Sequence, residues 1–333
     1  MTTPKKVRIV IVGAGQLANA VHYPSLKSFD DVDIVGVIEL DVYRLRETCE
    51  RFEIPESARF PAQGPNEYRE IIKRINPDGV YVIGPTEFVY PIWVWCLQNG
   101  YPLYVEKPMA ITMHQARVLA ALAEENKLIT QVSHQRRSAP IMNHVRNALL
   151  ERGPIVHGVV EFFKSEPVPA CGSLDRMLND GTHAVDTARW LCGGEVVRVD
   201  SSMKRVGTPD LNWIGATLTF DNGATCYVVL SWNSGRRVFR CQMHVPGAYA
   251  DVELESEARL YFDNDYNGNL IRSQDIAGSQ ENFIFGGFQT KSREFIDSLK
   301  HGADVCSSPF RDTVKTMEVC HTILAQAQLA GAA

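Results

Sequence analysis

The chain has 333 residues, with 34 Lys and Arg against 39 Asp and Glu and a formal net charge of −5. This length predicts about two domains of roughly 150 residues each. The slight acidic excess argues against nucleic acid and against an anionic membrane surface, because both attract basic patches. No apolar run approaches the ~20 residues of a membrane span, and Met1–Lys6 does not resemble a signal peptide. We therefore expect a globular, cytoplasmic protein.

The first 134 residues alternate strands with helices. Val7–Val12 is a nearly continuous β-branched run, as expected for a strand buried on both faces of a parallel sheet. Further strands are expected at Ile34–Ile38, Arg59–Phe60, Gly79–Ile83, Leu103–Val105 and Leu128–Val132. Helices are expected up to Leu26, after an N-cap at Asp41, over Glu67–Ile75 and Pro91–Asn99, and over Gln115–Glu125 after an N-cap at Thr112. This alternation predicts a doubly wound parallel sheet over residues 1–134.

From residue 135 to 333 strands dominate. They are expected at Val156–Phe163, Val196–Lys204, Gly215–Phe220, Ala224–Trp232, Phe239–Val245 and Ala250–Leu254. Helices are expected over Ala139–Arg152, Asp180–Leu191, Phe288–Leu299 and Arg311–Leu329. Runs of strands with few helices predict a second, α+β domain with a largely antiparallel sheet.

The pattern Gly13-x-Gly15-x-x-Ala18 follows a buried strand and opens a helix, where a dinucleotide fingerprint lies. The first Gly permits a tight turn, and the second lets the backbone approach a pyrophosphate at the helix N-terminus. Gln16 and Leu17 lie inside this turn and are included among the predicted cofactor-binding residues. The alternative is a βα turn with a structural role alone.

Glu39 ends the second strand, 24 positions beyond Gly15. An acid at such a position holds the adenosine ribose hydroxyls and repels a 2′-phosphate. Leu40, which follows, offers no positive charge to a phosphate, so the sequence favours NAD over NADP. Arg44 argues against this preference, because its side chain could fold back to the ribose. The alternative is that Arg44 is a solvated helix residue.

Two further segments carry chemistry. Glu106-Lys107-Pro108 ends the fifth strand, at the sheet edge where ligands bind, although Glu106-Lys107 taken alone is more typical of a surface ion pair. Asp180 can cap the next helix, which puts His183 in its first turn. The positive helix end would then favour the neutral imidazole that a proton acceptor needs. A lone His at a helix start is more often structural.

In combination, the glycine turn, Glu106-Lys107-Pro108 and the Gly-x-His-x-x-Asp helix at His183 resemble the Gfo/Idh/MocA oxidoreductase family over nearly the whole chain. The resemblance implies an N-terminal Rossmann domain and a C-terminal domain whose large open sheet forms homodimers or homotetramers. It implies hydride transfer between nicotinamide and a hydroxyl-bearing carbon of a sugar, inositol or related polyol. Lys107 then contacts substrate and nicotinamide ribose, beside Glu106, and His183 is the general acid/base.

Two segments depart from the family's pattern. Asn179 stands where the family often has Asp, with Asp180 one position later, so the proton relay to His183 is in question. Asn179 can still hydrogen-bond a hydroxyl. The loop Gly84-Pro85-Thr86 lacks the family's His and is expected to serve the cofactor alone.

Three residues are further substrate candidates. Trp232 ends a strand and offers an aromatic face to a sugar ring, while Arg176 and other arginines nearby would suit a carboxylated or phosphorylated one. Arg136 is either a substrate contact or an interdomain salt bridge. The alternative is a core Trp with exposed arginines.

No metal site is expected. Asp263–Leu270 matches the first half of an EF-hand loop, but Gln274 replaces the bidentate Glu, so a polar hairpin turn is predicted. None of the 8 cysteines forms a C-x-x-C pair, and we expect buried thiols.

Three functions fit these observations. The first is an NAD-dependent dehydrogenase of sugars or polyols. The second is an NAD-dependent lyase or glycosidase that uses transient oxidation, and the third is a non-catalytic dinucleotide-binding protein.

Overall fold

The computed structural model describes residues 6–64, 66–166, 176–209 and 211–329. Residues 1–5, part of the segment compared above with a signal peptide, lie outside the described residues. The chain divides into two compact units. The first contains residues 1–133, 282–284 and 288–314, and the second contains residues 134–281, 285–287 and 315–333. The sequence-based division into 1–134 and 135–333 stays a prediction.

The first unit is built on a six-stranded parallel sheet in the order β3-β2-β1-β4-β5-β6. The strands are β1 Val7–Val12, β2 Val32–Glu39, β3 Arg59–Pro61, β4 Gly79–Val82, β5 Leu103–Val105 and β6 Thr130–Val132. This is the doubly wound order of a Rossmann fold, and it confirms the predicted fold class. The strand order reverses between β1 and β4, and ligands bind beyond the carboxyl ends at such a point.

Helices connect these strands. They are a π-helical turn Ala18–His22 that continues as α1 Tyr23–Lys27, then α2 Val42–Arg51, α3 Glu67–Ile75, α4 Thr86–Gln98 and α5 Met113–Glu125. Asp41 caps α2 by accepting from the Tyr43 and Arg44 amides, and Thr112 caps α5 in a capping box with Gln115. Both predicted N-caps are confirmed.

Helix α4 begins at Thr86, five residues before the predicted start at Pro91. Proline is favoured in the first turn of a helix, where its missing N–H costs nothing, and this suggested a start at Pro91. The structure instead places Pro91 inside α4, which leaves one backbone carbonyl of the preceding turn without its helical donor.

The second unit is built on an eight-stranded sheet in the order β14-β13-β12-β11-β7-β10-β9-β8. The strands are β7 His157–Ser165, β8 Val196–Lys204, β9 Trp213–Phe220, β10 Thr225–Ser231, β11 Asn233–Val245, β12 Ala248–Glu253, β13 Glu257–Phe262 and β14 Asn269–Arg272. Neighbours are antiparallel except for β7 and β10, which are parallel. The large, mainly antiparallel sheet is therefore confirmed.

The EF-hand-like segment lies between β13 and β14, which pair antiparallel. Asp263 and Asn264 have positive φ angles there, as residues in a tight turn do. The predicted hairpin turn is confirmed.

Along β9 the side chains alternate between buried and half-buried, so one face of the sheet is covered and the other is open. Helix α7, residues Thr182–Cys192, packs on β7 and β10 at the covered face. The helices of this unit and of the remaining chain are α6 Pro140–Leu150, a π-helical turn Met177–Gly181 that runs into α7 Thr182–Cys192, α8 Ser273–Ala277, α9 Asn282–Phe285, α10 Phe288–His301 and α11 Phe310–Leu329. Within the described residues, none of the helices has the length and apolar character to cross a membrane.

Candidate active site

The glycine turn of the first unit leaves no room for a side chain at its first position. Gly13 has φ +109°, and a Cβ there would lie 2.1 Å from the carbonyl oxygen of Ile83, the residue that follows β4. At Gly15 a Cβ would meet nothing within 4 Å, so the second position faces open space. Gln16 and Leu17 are exposed beside it. This geometry suits the approach of a ligand to the backbone of the turn.

Glu39 is bonded to this turn. One carboxylate oxygen, Oε2, accepts the Ala14 amide at 2.7 Å, and Oε1 accepts the Leu40 amide at 2.8 Å. The Arg44 guanidinium lies 3.9 Å from Glu39 and also 3.9 Å from Asp41. The carboxylate therefore fixes the end of β2 against the glycine turn.

Asn19 supports the same turn and was not predicted from the sequence. Its Nδ2 donates to the Ala14 carbonyl at 2.9 Å and to the Gly15 carbonyl at 3.1 Å, and Tyr23 donates its hydroxyl to the Gly13 carbonyl at 3.1 Å. Both residues lie within ten positions of the turn. Polar side chains facing back from the first helix are the signal that could have identified them.

Glu106 is buried, with 6% of its surface exposed, so the interpretation of Glu106-Lys107 as a surface ion pair is wrong. His22 Nε2 lies 2.8 Å from Glu106 Oε1, a partner that the sequence did not suggest. Burial opposes ionisation of Glu106, but the hydrogen bond from His22 and the charges of His22 and Lys107 outweigh it and lower the pKa of the carboxyl. The lowered pKa keeps this buried carboxyl ionised beside Lys107.

Lys107 is half-buried at the end of β5, and the peptide bond to Pro108 is cis. Thr86, the first residue of α4, donates its hydroxyl to the Pro108 carbonyl at 2.8 Å. The loop Gly84-Pro85-Thr86 is thereby tied to the loop that carries Lys107. Both loops leave carboxyl ends of the parallel sheet.

His183 is the second residue of α7 and is 7% exposed. The predicted cap at Asp180 is wrong, since Gly181 occupies the N-cap position of this helix. The physical reason is that residues 177–181 are already helical, so α7 continues an earlier turn. His183 is therefore not at a free helix N-terminus, and the helix dipole no longer argues for a neutral imidazole.

The Asp180 carboxylate has other partners instead. It accepts from Trp232 Nε1 at 2.8 Å and lies 2.8 Å from Lys164 Nζ. Trp232 is 2% exposed, and the Arg176 guanidinium carbon lies 5.2 Å from its ring centre. The Trp232 ring is therefore a core side chain with Arg176 against one face. Asn179, one position before Asp180, is half-buried in the turn that precedes His183.

A buried ionic network supports α7 one turn beyond His183. Asp186 is bonded to Arg137 through Nε at 2.8 Å and through Nη2, accepts from Thr316 at 3.2 Å, and lies 3.9 Å from His134 Nδ1. Burial opposes ionisation, but the charges of Arg137 and His134 outweigh it and lower the pKa of Asp186 to about 2. The His134 ring in turn lies edge-on to the His183 ring, 6.2 Å between centres.

Four polar groups surround the ring of Phe162 on β7, and we call Phe162 with these groups the Phe162 cluster. The His183 ring centre lies 6.3 Å from the Phe162 ring centre. The cationic members are Arg136, Arg237 and Lys164, at 5.0, 5.3 and 5.7 Å from that centre. The ion-pair partner of Arg136 is Glu255 of the same unit. The sequence does not reveal this cluster, because its members come from separate segments of the chain.

Metal-ligating side chains and cysteines are the remaining candidates for chemistry in this chain. Among the described residues, no group of three or more His, Cys, Asp or Glu side chains is arranged to hold a metal ion. Seven cysteines lie in the described ranges, and all are buried free thiols.

Comparison with known proteins identifies the family. A family model described as "Oxidoreductase family, NAD-binding Rossmann fold" matches residues 7–134, and one described as "GFO/IDH/MocA C-terminal domain" matches residues 175–248. Together they match more than half of the chain. The chain therefore belongs to the Gfo/Idh/MocA oxidoreductase family, as the sequence motifs predicted.

Relatives of known name are similar over most of their length. A 4-carboxy-2-hydroxymuconate-6-semialdehyde dehydrogenase of a Sphingobium species is 23% identical over 325 residues, which cover 92% of this chain and 94% of that protein. A D-apiose dehydrogenase of Paraburkholderia graminis is 26% identical over 276 residues, covering 79% and 71%. The solved structure of GenD2 from gentamicin A biosynthesis, in complex with NAD, has a TM-score of 0.79 and 19% identity and covers 98% of this chain and 96% of that one.

Proposed function

We propose that the protein is an NAD-dependent dehydrogenase that oxidises a hydroxyl-bearing carbon of a sugar, inositol or related polyol. The observation that carries this proposal is the glycine turn at the switch point of the parallel sheet, with Glu39 bonded to it. Family membership supports an oxidoreductase, and a relative named as a D-apiose dehydrogenase supports a sugar as substrate.

The residues of the glycine turn fit a dinucleotide. The open space at Gly15 admits a pyrophosphate, and the proposed cofactor contacts continue over Gln16, Leu17 and the loops at Thr86 and Lys107. The carboxylate of Glu39 would hold ribose hydroxyls and repel a 2′-phosphate. Arg44 lies between two carboxylates, which oppose its use as a phosphate ligand, so we favour NAD over NADP.

When bound, NAD supplies a hydride acceptor. We propose that His183 removes the proton of the substrate hydroxyl and that Lys107 stabilises the negative charge that develops on the oxygen. The buried pair of Glu106 and His22 positions the backbone at Lys107. Asn179 would hydrogen-bond a substrate hydroxyl, while Asp180, already engaged by Trp232 and Lys164, acts as a positioning residue.

We also propose a cytoplasmic homodimer or homotetramer formed through the open face of the eight-stranded sheet. A row of five rings crosses adjacent strands on this sheet, with neighbouring centres 4.5–5.3 Å apart: Tyr227, His157, His244, Tyr249 and Tyr261. Tyr227 is exposed and the other four rings are half-buried, and aromatic side chains at a surface are typical of protein–protein interfaces. Sedimentation of the wild type and of Tyr249→Glu tests the interface, and the variant should be monomeric.

A substrate screen tests the proposed reaction. Sugars, inositols, uronates and glycosides are incubated with NAD, and formation of NADH is followed by absorbance. We expect net NADH formation with at least one sugar or polyol. A glycoside that is cleaved with no net NADH would instead indicate a lyase or glycosidase that recycles its cofactor.

A further inference from the structure

The guanidinium of Arg136 is buried, and among the described residues no carboxylate lies at hydrogen-bond distance from it. The residue is 3% exposed, and its guanidinium carbon lies 3.8 Å from the ring centre of Phe239 and 5.0 Å from that of Phe162. Within the described ranges, its Nε has no hydrogen-bond partner. The nearest paired carboxylate oxygen, Oε1 of Glu255, is 4.0 Å from Nη1, beyond hydrogen-bond length.

The other cations of the Phe162 cluster each have a carboxylate at hydrogen-bond distance. Lys164 lies 2.8 Å from Asp180 and 3.1 Å from Glu166, and Arg237 lies 3.2 Å from Glu255. The Glu255 carboxylate therefore pairs more closely with Arg237 than with Arg136. Arg136 is the most deeply buried of the three cations and has the weakest pairing, although buried charged groups are normally paired.

Burial and nearby groups leave Arg136 charged. Burial lowers the pKa of its guanidinium to about 10, which still keeps it protonated at neutral pH. A planar guanidinium presents donors in a fork that matches two oxygens of one carboxylate or phosphate. The packing of Phe162 and Phe239 against it leaves a charged donor group in an apolar setting, where an anionic partner binds more strongly than in water.

Arg136 and His183 share one ring as a neighbour. The Arg136 guanidinium carbon lies 5.0 Å and the His183 ring centre 6.3 Å from the centre of Phe162. Arg136 and His183 therefore belong to one cluster of neighbouring side chains, which is the arrangement that a small molecule contacting both would need. We propose that Arg136 binds an anionic oxygen group on the substrate, so that the substrate is an acidic sugar or polyol. This inference rests on the proposed function, because it assumes that His183 meets the substrate.

The first test needs no variant. Initial rates with NAD are compared for D-glucose, D-glucuronate and D-glucose 6-phosphate, and for the corresponding galactose series. Charge-assisted pairing predicts that kcat/KM for an anionic member exceeds that for its neutral congener by about 10- to 100-fold. Preference for the uronate identifies a carboxylate, and preference for the phosphate ester identifies a phosphate. Equal use of neutral and anionic sugars overturns the proposal.

Variants then assign the preference to one side chain. Arg136→Gln should abolish the preference through a higher KM, and Arg136→Lys should retain part of it because the charge remains. The matched control is Arg198→Gln, since Arg198 is exposed and is hydrogen-bonded to Asp200. A preference for anionic sugars that survives in Arg136→Gln contradicts the assignment.

A binding measurement separates this inference from the proposed reaction. Calorimetry of D-glucuronate and D-glucose 6-phosphate with protein saturated in NADH requires no turnover. Binding of either anion that is weakened about 10-fold or more in Arg136→Gln supports the anion site even if no substrate is oxidised. Absence of binding to the wild type, or binding unchanged by Arg136→Gln, overturns it.

Discussion

The two units use different means to form their candidate sites. In the first unit the glycine turn works through backbone geometry, and the side chains of Glu39, Asn19 and Tyr23 hold that backbone in place. In the second unit the Phe162 cluster places three charged side chains, of which Arg136 is buried, around one aromatic ring. The backbone turn suits a cofactor that many proteins share, while the charged cluster suits discrimination among substrates. Variants in the two units should therefore affect different measured quantities.

The largest effect is expected at His183. Loss of general acid–base catalysis in His183→Ala should lower kcat by about 10²–10⁴-fold, because the hydroxyl proton has no acceptor. The dissociation constant for NAD should stay unchanged, since the glycine turn belongs to the other unit. His301→Ala, an exposed histidine at the end of α10, is the control. Full turnover in His183→Ala would remove His183 from the mechanism.

Asp186→Asn tests the buried network behind His183. Loss of the carboxylate charge removes the Asp186 side of a buried ion pair with Arg137, and breaking such a pair costs about 3–5 kcal/mol of unfolding free energy. Denaturant titration measures the loss. Asp263→Asn, at an exposed ion pair with Arg152, is the matched control and should change stability little. Equal stability of the two variants would show that the network is not important for folding.

A smaller effect is expected at Glu39 and should appear in cofactor binding alone. Glu39→Ala removes a charged acceptor of hydrogen bonds, and we expect the dissociation constant for NAD to rise about 10- to 100-fold. Titration of NAD by fluorescence measures it, with Glu50→Ala on the exposed side of α2 as control. NAD binding that matches the wild type would refute the role of Glu39.

The smallest expected effect is on the pH dependence of stability. The pKa of Asp186 is about 2 in the folded protein, below the ordinary value of 3.8. The ionised Asp186 carboxylate therefore stabilises the fold, and this contribution is complete above pH 3.8. This stabilisation is lost as pH falls from about 4 towards 2. Hydrogen bonds from Arg293 and Lys300 also lower the pKa of Asp31 to about 2. The stability that ionised Asp31 contributes is therefore lost over the same pH range. In Asp186→Asn the free energy of unfolding, measured by denaturant titration at each pH, should fall less steeply over this range, and the remaining fall is the contribution of Asp31. A fall as steep as in the wild type would contradict the lowered pKa of Asp186.

The sequence predicts the first unit well because its signals are local. The β-branched run of β1, the glycines of the turn and the caps at Asp41 and Thr112 each depend on neighbours a few residues away. The start of α4 was misplaced, since Pro91 fits a first turn as well as a helix interior that tolerates a lost hydrogen bond.

The candidate site of the second unit is less predictable. His183 was found through a family motif and Arg136 was a substrate candidate, but their shared neighbour Phe162 and the partner Lys164 depend on the packing of β7 against distant segments. The predicted cap at Asp180 is wrong because residues 177–181 are already helical, and the Asp180 carboxylate instead accepts from Trp232, 52 positions away. No local pattern encodes such contacts.

The most direct test of the central claim is a crystal structure with NAD and the sugar or polyol that the substrate screen selects. We predict that Lys107 Nζ and a ring nitrogen of His183 both lie within about 3.2 Å of the same substrate oxygen. A bound substrate whose reacting hydroxyl contacts only one of these two groups, or neither, would contradict the account.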